Sequence, residues 1–198
     1  MPLRAEWDTA PSDYAILVPA GWFQLHLDPE ERDRGIVALA DRQFAGVDNA
    51  PVLKERLMRD LQKQAKAAHR EGGVELYVSL LTVGGLPLAS SLLVSLLPDG
   101  WPGCHTAHDL ARGLAETGRP AEVRRLDAAG DAVRTERTEA PDPARQLGNT
   151  LATTTVTYHV PVPASRQWLT LTFSTPMEGL AAKMVELFDT VAGTLHWE

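Results

Sequence analysis

The chain has 198 residues, of which 26 are acidic and 19 are Lys or Arg, so its formal charge at neutral pH is −7. This balance argues against general binding to nucleic acid or to an anionic membrane, since both require a positively charged surface. A single cysteine, Cys104, excludes a framework of disulfides within the chain. The opening residues lack the basic start and continuous apolar core of a signal peptide, so we expect a cytoplasmic protein.

The first apolar segments predict two strands joined by a turn. Residues 14–18 and 23–27 are short apolar runs on either side of a Pro-Ala-Gly turn at 19–21. Trp22 follows this turn, and Trp101 lies in a later turn-rich loop. A tryptophan beside a turn either anchors an interface or folds back over the core, and the sequence leaves both interpretations open.

Two helices are predicted next. Asp28 is a capping residue, Pro29 occupies the first helical position and Glu31 lies three residues past the cap, so a helix begins there. It is expected to end near Phe44. A second helix is predicted after Asn49 and Pro51, and it continues to the glycine pair at 72–73.

The second helix carries a basic stripe, whose members recur at spacings of three and four. They are Arg56, Arg59, Lys63, Lys66 and Arg70. As a functional surface the stripe docks an acidic partner or a nucleic-acid backbone, and as an ordinary surface it is the solvated side of an amphipathic helix. Glu55, Asp60 and Glu71 dilute its charge.

Residues 76–97 contain no charged side chain. The run is long enough to span a bilayer, since about 20 apolar residues suffice for a helix. A glycine pair at 84–85 and Pro87 interrupt it, and the flanking segments have the composition of strands. We therefore predict no membrane span but a buried hairpin, in which residues 74–82 return as 88–97.

Both faces of this hairpin are apolar. One face is expected to pack on helices and consists of Leu76, Val78, Leu80, Leu92, Val94 and Leu96. The other carries Leu81, Leu93 and Leu97, on a side that a two-layer fold would leave in contact with water. Either the long segment after Asp99 folds back over this second face or a partner covers it.

The rest of the chain predicts a short helix, two hairpins and a final helix. Thr106 opens the short helix, and a capping box over residues 175–178 opens the final one. Strands are predicted at residues 122–126, 132–136, 152–160 and 167–174, with a mobile loop at about 138–150. The elements give an α+β fold, a twisted antiparallel sheet of hairpins with helices packed on it, in one domain over residues 1–198.

Catalytic and metal-binding patterns are weak. Cys104, His105 and His108 form a C-H-x-x-H cluster, but structural zinc takes four ligands and nothing nearby completes the set. A nucleophilic Cys104 needs a base and an orienting group that the sequence does not show. The sequence contains no nucleophile elbow, zinc-protease helix, dinucleotide fingerprint or phosphate loop. We therefore predict no metal, no other cofactor and no catalytic activity.

The chain resembles the PsbP-like superfamily in the order of its elements and in three segments. These are Pro-Ala-Gly-Trp at 19–22, the hairpin at 161–176 and the end of the chain from Leu187 to Trp197. That group includes PsbP of photosystem II, the Ran-binding nucleotide release factor and Eag-type chaperones of secretion effectors. The resemblance implies an α+β fold that binds partners without performing chemistry.

Together these observations suggest a non-catalytic protein that binds a protein partner, as an adaptor or chaperone linked to a secretion or toxin system. The residues expected at the partner surface are Trp22, Arg59, Lys63, Lys66, Arg70, Leu81, Leu93, Leu97 and Trp101. The alternative is a small-molecule-binding protein or enzyme. Its pocket would lie between the sheet and the helices, near Trp22, Tyr77, Tyr158 and Trp168. A homodimer also stays open.

Overall fold

A seven-stranded antiparallel sheet organises the chain. The computed structural model describes residues 9–45, 51–84, 86–98, 103–141 and 151–198. Its elements are β1 (Tyr14–Ala15), β2 (Trp22–His26), α1 (Pro29–Gln43), α2 (Pro51–Arg70), β3 (Gly73–Ser79), β4 (Thr82–Val83), β5 (Leu86–Pro87), β6 (Ser91–Leu97), α3 (Ala107–Glu116), β7 (Glu122–Leu126), β8 (Gly130–Glu139), β9 (Thr153–Pro161), β10 (Trp168–Thr175), a 3₁₀ turn (Glu178–Leu180), α4 (Ala181–Ala192) and β11 (His196–Trp197).

The strand order in the sheet is β2-β3-β6-β10-β9-β8-β7. Every pairing in it is antiparallel. Two short pairs, β1 with β11 and β4 with β5, lie outside the sheet, and the first of these joins the two ends of the described chain. The predicted α+β class, including the C-terminal helix, is confirmed.

One face of the sheet, which we call the α4 face, packs on the C-terminal helix. Leu92, Phe173 and Val156 lie side by side on β6, β10 and β9, and each is fully buried. Phe188 of α4 stacks on Phe173 with 5.0 Å between the ring centroids. Complete burial of a Phe side chain contributes about 1.5–3 kcal/mol, so this contact is a main attachment of α4.

The opposite face, which we call the α2 face, is covered by the other three helices. Leu93 of β6 belongs to a cluster with Ile36 of α1 and Ala65 of α2. Leu97, at the end of the same strand, packs in a separate cluster with Leu110 of α3. Since successive side chains of a strand point to opposite faces, the sheet separates these two clusters from the cluster on the α4 face.

The charge-free segment forms strands, as predicted, but its register differs from the expected one. Tyr77 pairs with Leu92, and Leu76 pairs with Leu93. Leu76 and Val78 therefore share the face of Leu93, so their predicted place beside Leu92 is wrong. The connection between β3 and β6 contains the β4–β5 ribbon, so no tight turn fixes the register from local sequence. Among the described residues, no helix is long and apolar enough to cross a membrane.

The predicted caps are confirmed for α1 and α3 but not for α4. Asp28 accepts a hydrogen bond from the Glu30 amide at 2.8 Å, and Thr106 accepts one from the Asp109 amide at 3.1 Å. The hydroxyl of Thr175 accepts from the Met177 amide at 3.2 Å and donates to the carbonyl of Ala89 at 2.8 Å, whereas the Glu178 amide donates to the Pro176 carbonyl. The box predicted at 175–178 is thus wrong, because α4 begins only at Ala181, after the 3₁₀ turn.

The start of the predicted mobile loop belongs to a strand. Thr138 and Glu139 pair with Thr154 and Thr153 as the last residues of β8. That part of the 138–150 prediction is wrong, because the cross-strand ladder continues past the expected end. Residues 142–150 lie outside the described part of the chain, as do Gly85 and Trp101.

Candidate binding surfaces

The basic stripe lies on the solvent-exposed side of α2. This helix packs on its neighbours through Met58, Leu61, Ala65 and Ala68, and of its residues only Ala65 is fully buried. The cations recur three and four residues apart on the opposite side, and all five of them are exposed. The stripe is therefore accessible along its full length.

The ion pairs of the stripe lie at its N-terminal end. Arg56 approaches Asp60 at 4.0 Å, and Arg59 approaches Glu55 at 3.4 Å. Within the described part of the chain, Lys63, Lys66 and Arg70 form no ion pair. Val52 lies one helical turn before Arg56 on the same side and is 76% exposed. The hydrogen bond from Arg32, with a smaller effect from Lys66, lowers the pKa of Asp33 on α1, so Lys66 lies near one carboxylate. The stripe thus combines exposed positive charge with one exposed apolar side chain.

The hydrophobic residues predicted at a partner surface contact other parts of this chain instead. Leu93 lies in the α1–α2 cluster, and Leu97 lies against α3. Leu81 is half-buried against the α4 core and contacts Gly21. The second apolar face of the hairpin is therefore covered by helices of the same chain, and no partner is needed to cover Leu93 or Leu97.

Trp22 belongs to the core. It is 8% exposed and packs in the cluster on the α4 face. Its indole Nε1 has no hydrogen-bond partner among the described atoms. Of the two roles left open by the sequence, the structure supports core packing for Trp22.

The aromatic residues expected around a pocket are buried in packed clusters. Tyr158 is 1% exposed, and its hydroxyl donates to Asp189 at 2.7 Å. The Tyr77 hydroxyl donates to Glu75 at 2.8 Å, and Trp168 is 1% exposed beside α3. Trp22, Tyr77 and Tyr158 therefore fill the space between the sheet and α4, and of the four expected pocket residues Trp168 alone lies at a cleft of the described structure.

A cleft of about 670 Å³ lies at one end of the sheet, and Trp168 lines it, whereas Trp22, Tyr77 and Tyr158 do not. Three segments line it: the start of α3 (105–108), the β7–β8 turn (127–131) and the β9–β10 loop (161–168). Arg125, at the end of β7, also lines it. A smaller cleft of about 240 Å³ adjoins it, and His105 and Arg166 line both.

The consecutive antiparallel strands β7 to β10 explain why these three segments meet. In consecutive antiparallel strands, every second turn lies at the same end, so the β7–β8 and β9–β10 connections are neighbours. Leu97 pairs with Trp168, which places the end of β6 and the following start of α3 at that end too. Sequence reasoning identified each of the two hairpin turns but did not join them. The two turns are the first and third connections of four consecutive predicted strands. That order alone predicts that both lie at the same end of the sheet.

The structure places the members of the Cys-His cluster beside two adjoining clefts. His105 and His108 are exposed at the larger cleft, whereas Cys104 is half-buried beside the smaller one. Burial, with a smaller effect from Asp109, raises the pKa of the Cys104 thiol, which disfavours the reactive thiolate. Among the described residues, no three His, Cys, Asp or Glu side chains are arranged to hold a metal ion.

No known family model and no curated protein sequence matches this chain. A solved structure from Bacteroides thetaiotaomicron VPI-5482 is similar, with 14% identity and a TM-score of 0.39 over 65% of this chain and 39% of that chain. The solution structure of cyanobacterial PsbP from Synechocystis sp. PCC 6803 has 16% identity and a TM-score of 0.34, over 93% of this chain and 86% of that chain. These values show a weak likeness in fold, and membership of the PsbP-like superfamily stays a prediction.

Proposed function

We propose that this protein is a non-catalytic, cytoplasmic interaction module that binds an acidic segment of another protein along the basic stripe of α2. The observation that carries the proposal is the charge of Lys63, Lys66 and Arg70. These three cations are exposed and form no ion pair within the described part of an otherwise acidic chain. The resemblance noted in the sequence suggests an adaptor or chaperone of a secretion or toxin system as its specific form.

Charge complementarity selects an acidic occupant. Positive charge concentrated on one side of a helix attracts carboxylates and repels other basic surfaces. From Arg56 to Arg70 the stripe extends about 21 Å along the helix at 1.5 Å per residue. An extended peptide covers that distance with about six or seven residues. A short acidic segment is therefore long enough to contact the whole stripe.

A protein segment fits the stripe better than nucleic acid does. The stripe is one helix wide, and Glu55 and Asp60 lie among its cations. The chain as a whole carries a charge of −7, which repels a long phosphate backbone more than it repels a short peptide. Nucleic acid is therefore the competing occupant that the experiment must include.

The proposal is tested by fluorescence anisotropy with a labelled peptide of about seven glutamates, the length that matches the stripe. Its glutamine counterpart and a single-stranded oligonucleotide serve as comparison probes. We expect the glutamate peptide to bind at low ionic strength, with an affinity that falls as salt is added. The glutamine peptide should not bind. Tighter binding of the oligonucleotide would contradict the choice of a protein partner.

Charge reversal locates the binding surface. Lys63→Glu should weaken peptide binding about fivefold, because an exposed ion pair contributes up to about 1 kcal/mol and reversal adds repulsion. Arg119→Glu changes the net charge equally at an exposed position that follows α3 and is not part of α2. Its affinity should stay within about twofold of the unmodified protein. Equal losses in the two variants would show that net charge alone controls binding, and the proposed surface would be rejected.

A further inference from the structure

We propose that the cleft at the end of the sheet is a second site, which binds a small organic anion. The acid group of this ligand would lie between Arg166 and His105, and its apolar body would lie over the cleft floor. The site is independent of the α2 stripe, because the cleft is formed by α3 and by the two hairpin connections.

The size and floor of the cleft fit a small molecule. Its volume of about 670 Å³ falls within the range of roughly 300–1,000 Å³ that is typical of small-molecule sites. Ala129, Val162 and Trp168 are apolar and at least nine-tenths buried, and all three line the cleft. A planar apolar group can therefore contact this floor while a polar group faces the rim.

The charges around the rim place the acid group on one side. Arg125 is paired with Asp131 at 3.0 Å, and Asp127 adds a second carboxylate on the β7–β8 side. Arg166 lies on the opposite loop, is exposed and has no ion pair within the described part of the chain. Its planar guanidinium can donate two parallel hydrogen bonds to a carboxylate or phosphate group. An acid group is therefore attracted to Arg166 and repelled from Asp127.

The loop that presents Arg166 is fixed by its own backbone. The Val162 amide donates to the Gln167 carbonyl at 3.0 Å, and the Ser165 amide donates to the Val162 carbonyl at 3.3 Å. Ala164 has a φ of +51°, and no other non-glycine residue in the described part of the chain has a positive φ. Such conformations are strained, persist only where the surroundings hold them and are common at ligand sites. Arg166 is thus presented by a preorganised loop.

Phenyl phosphate is a suitable probe because it combines an acid group with a planar apolar body. We expect it to bind with a Kd on the order of 1 mM, given its small size. Inorganic phosphate and phenol each carry half of the probe, and each should bind at least about tenfold more weakly. Binding is followed by amide shifts in NMR spectra, which should move at residues 105–108 and 161–168. Equal affinity for inorganic phosphate would overturn the role of the floor, and equal affinity for phenol would overturn the acid anchor.

Substitutions test the anchor. Arg166→Ala should weaken phenyl phosphate binding about tenfold, because a charge-assisted pair of hydrogen bonds is lost. Arg119→Ala removes an exposed arginine outside the cleft and should leave the affinity unchanged. Arg166 is exposed, so its variant should unfold at the same temperature as the unmodified protein. An unchanged Kd in Arg166→Ala, or shifts confined to residues outside the cleft, would refute the site.

Discussion

Replacement of Asp189 by alanine should detach part of α4 from the sheet. One carboxylate oxygen, Oδ1, accepts hydrogen bonds from Arg134 Nε at 2.8 Å and from the Tyr158 hydroxyl at 2.7 Å. The donors are on β8 and β9 and are 8% and 1% exposed. Burial opposes the charge of Arg134, but the hydrogen bonds that it donates to Asp189 and Glu136 nevertheless raise its pKa above the usual range. A single side chain of α4 thus pairs two buried donors.

The expected loss of stability depends on which partners Tyr158 and Arg134 keep after the substitution. Without Asp189 the Tyr158 hydroxyl loses its acceptor, and an unsatisfied buried polar group costs about 1–3 kcal/mol. Arg134 keeps Glu136 at 2.8 Å and Glu122 at 3.3 Å. Its loss is therefore smaller than the roughly 3–5 kcal/mol expected when a buried charge is left with no partner. We expect Asp189→Ala to lower the free energy of unfolding by about 2–4 kcal/mol.

Urea denaturation measures this change. Lys183→Ala on the same helix is the matched control, because the Lys183 side chain is 74% exposed in its pair with Glu186. An exposed pair of this kind contributes no more than about 1 kcal/mol. The double variant Asp189→Ala/Tyr158→Phe removes the hydroxyl as well as its acceptor. It should cost at least about 0.5 kcal/mol less than the sum of the two single changes.

Two results would refute this account. If Asp189→Ala were no more destabilising than Lys183→Ala, the hydrogen bonds to the carboxylate would not stabilise the fold. If the double variant lost the full sum of the single losses, Asp189 and Tyr158 would act independently despite their 2.7 Å contact.

Two further stability measurements test a glycine of the backbone and the half-buried His159. Gly72 has a φ of +88°, and a Cβ there would overlap the Leu96 carbonyl. Gly118 has a similar φ of +75°, but the space around it is open. Gly72→Ala should therefore destabilise the protein clearly more than Gly118→Ala. Equal losses in thermal melts of the two variants would exclude the overlap. Burial lowers the pKa of His159 from 6.5 to about 4. The unfolded chain therefore binds this proton more readily, and on the order of 2–3 kcal/mol of stability should be lost as the pH falls from 6.5 to 4. Histidine NMR titration checks the pKa, and urea denaturation of His159→Gln should lack that part of the pH dependence.

Local sequence determined where most elements begin and which residues share a face. Asp28 and Thr106 cap α1 and α3 because their side-chain oxygens reach amides only two or three residues away. Leu169, Leu171 and Phe173 recur at every second position, so they share one side of β10, and all three are buried in the cluster on the α4 face. The basic stripe of α2 was also readable, since helical spacing alone places its members on one side.

Tertiary structure decided what each face meets. Periodicity shows that Leu93 and Leu97 share a side, but α2 covers the first and α3 the second. The Thr175 hydroxyl accepts a local hydrogen bond from the Met177 amide, as its sequence context allows, but it also donates to the carbonyl of Ala89, a residue distant in sequence. These outcomes depend on contacts between residues far apart in the chain. The residues next to each contact in the sequence do not indicate which distant residue it will meet.

The two candidate sites also differ in how far local sequence predicts them. The cations of the stripe are adjacent by helical geometry, so the sequence identified them, but only the structure shows that Arg56 and Arg59 are paired while Lys63, Lys66 and Arg70 form no ion pair within the described residues. The cleft unites three segments that are separated along the chain, and only the order of the strands makes them neighbours. Local hydrogen bonds and the spacing of side chains can be predicted from the sequence. The pairing of charges and the shape of a cavity depend on tertiary contacts between distant segments.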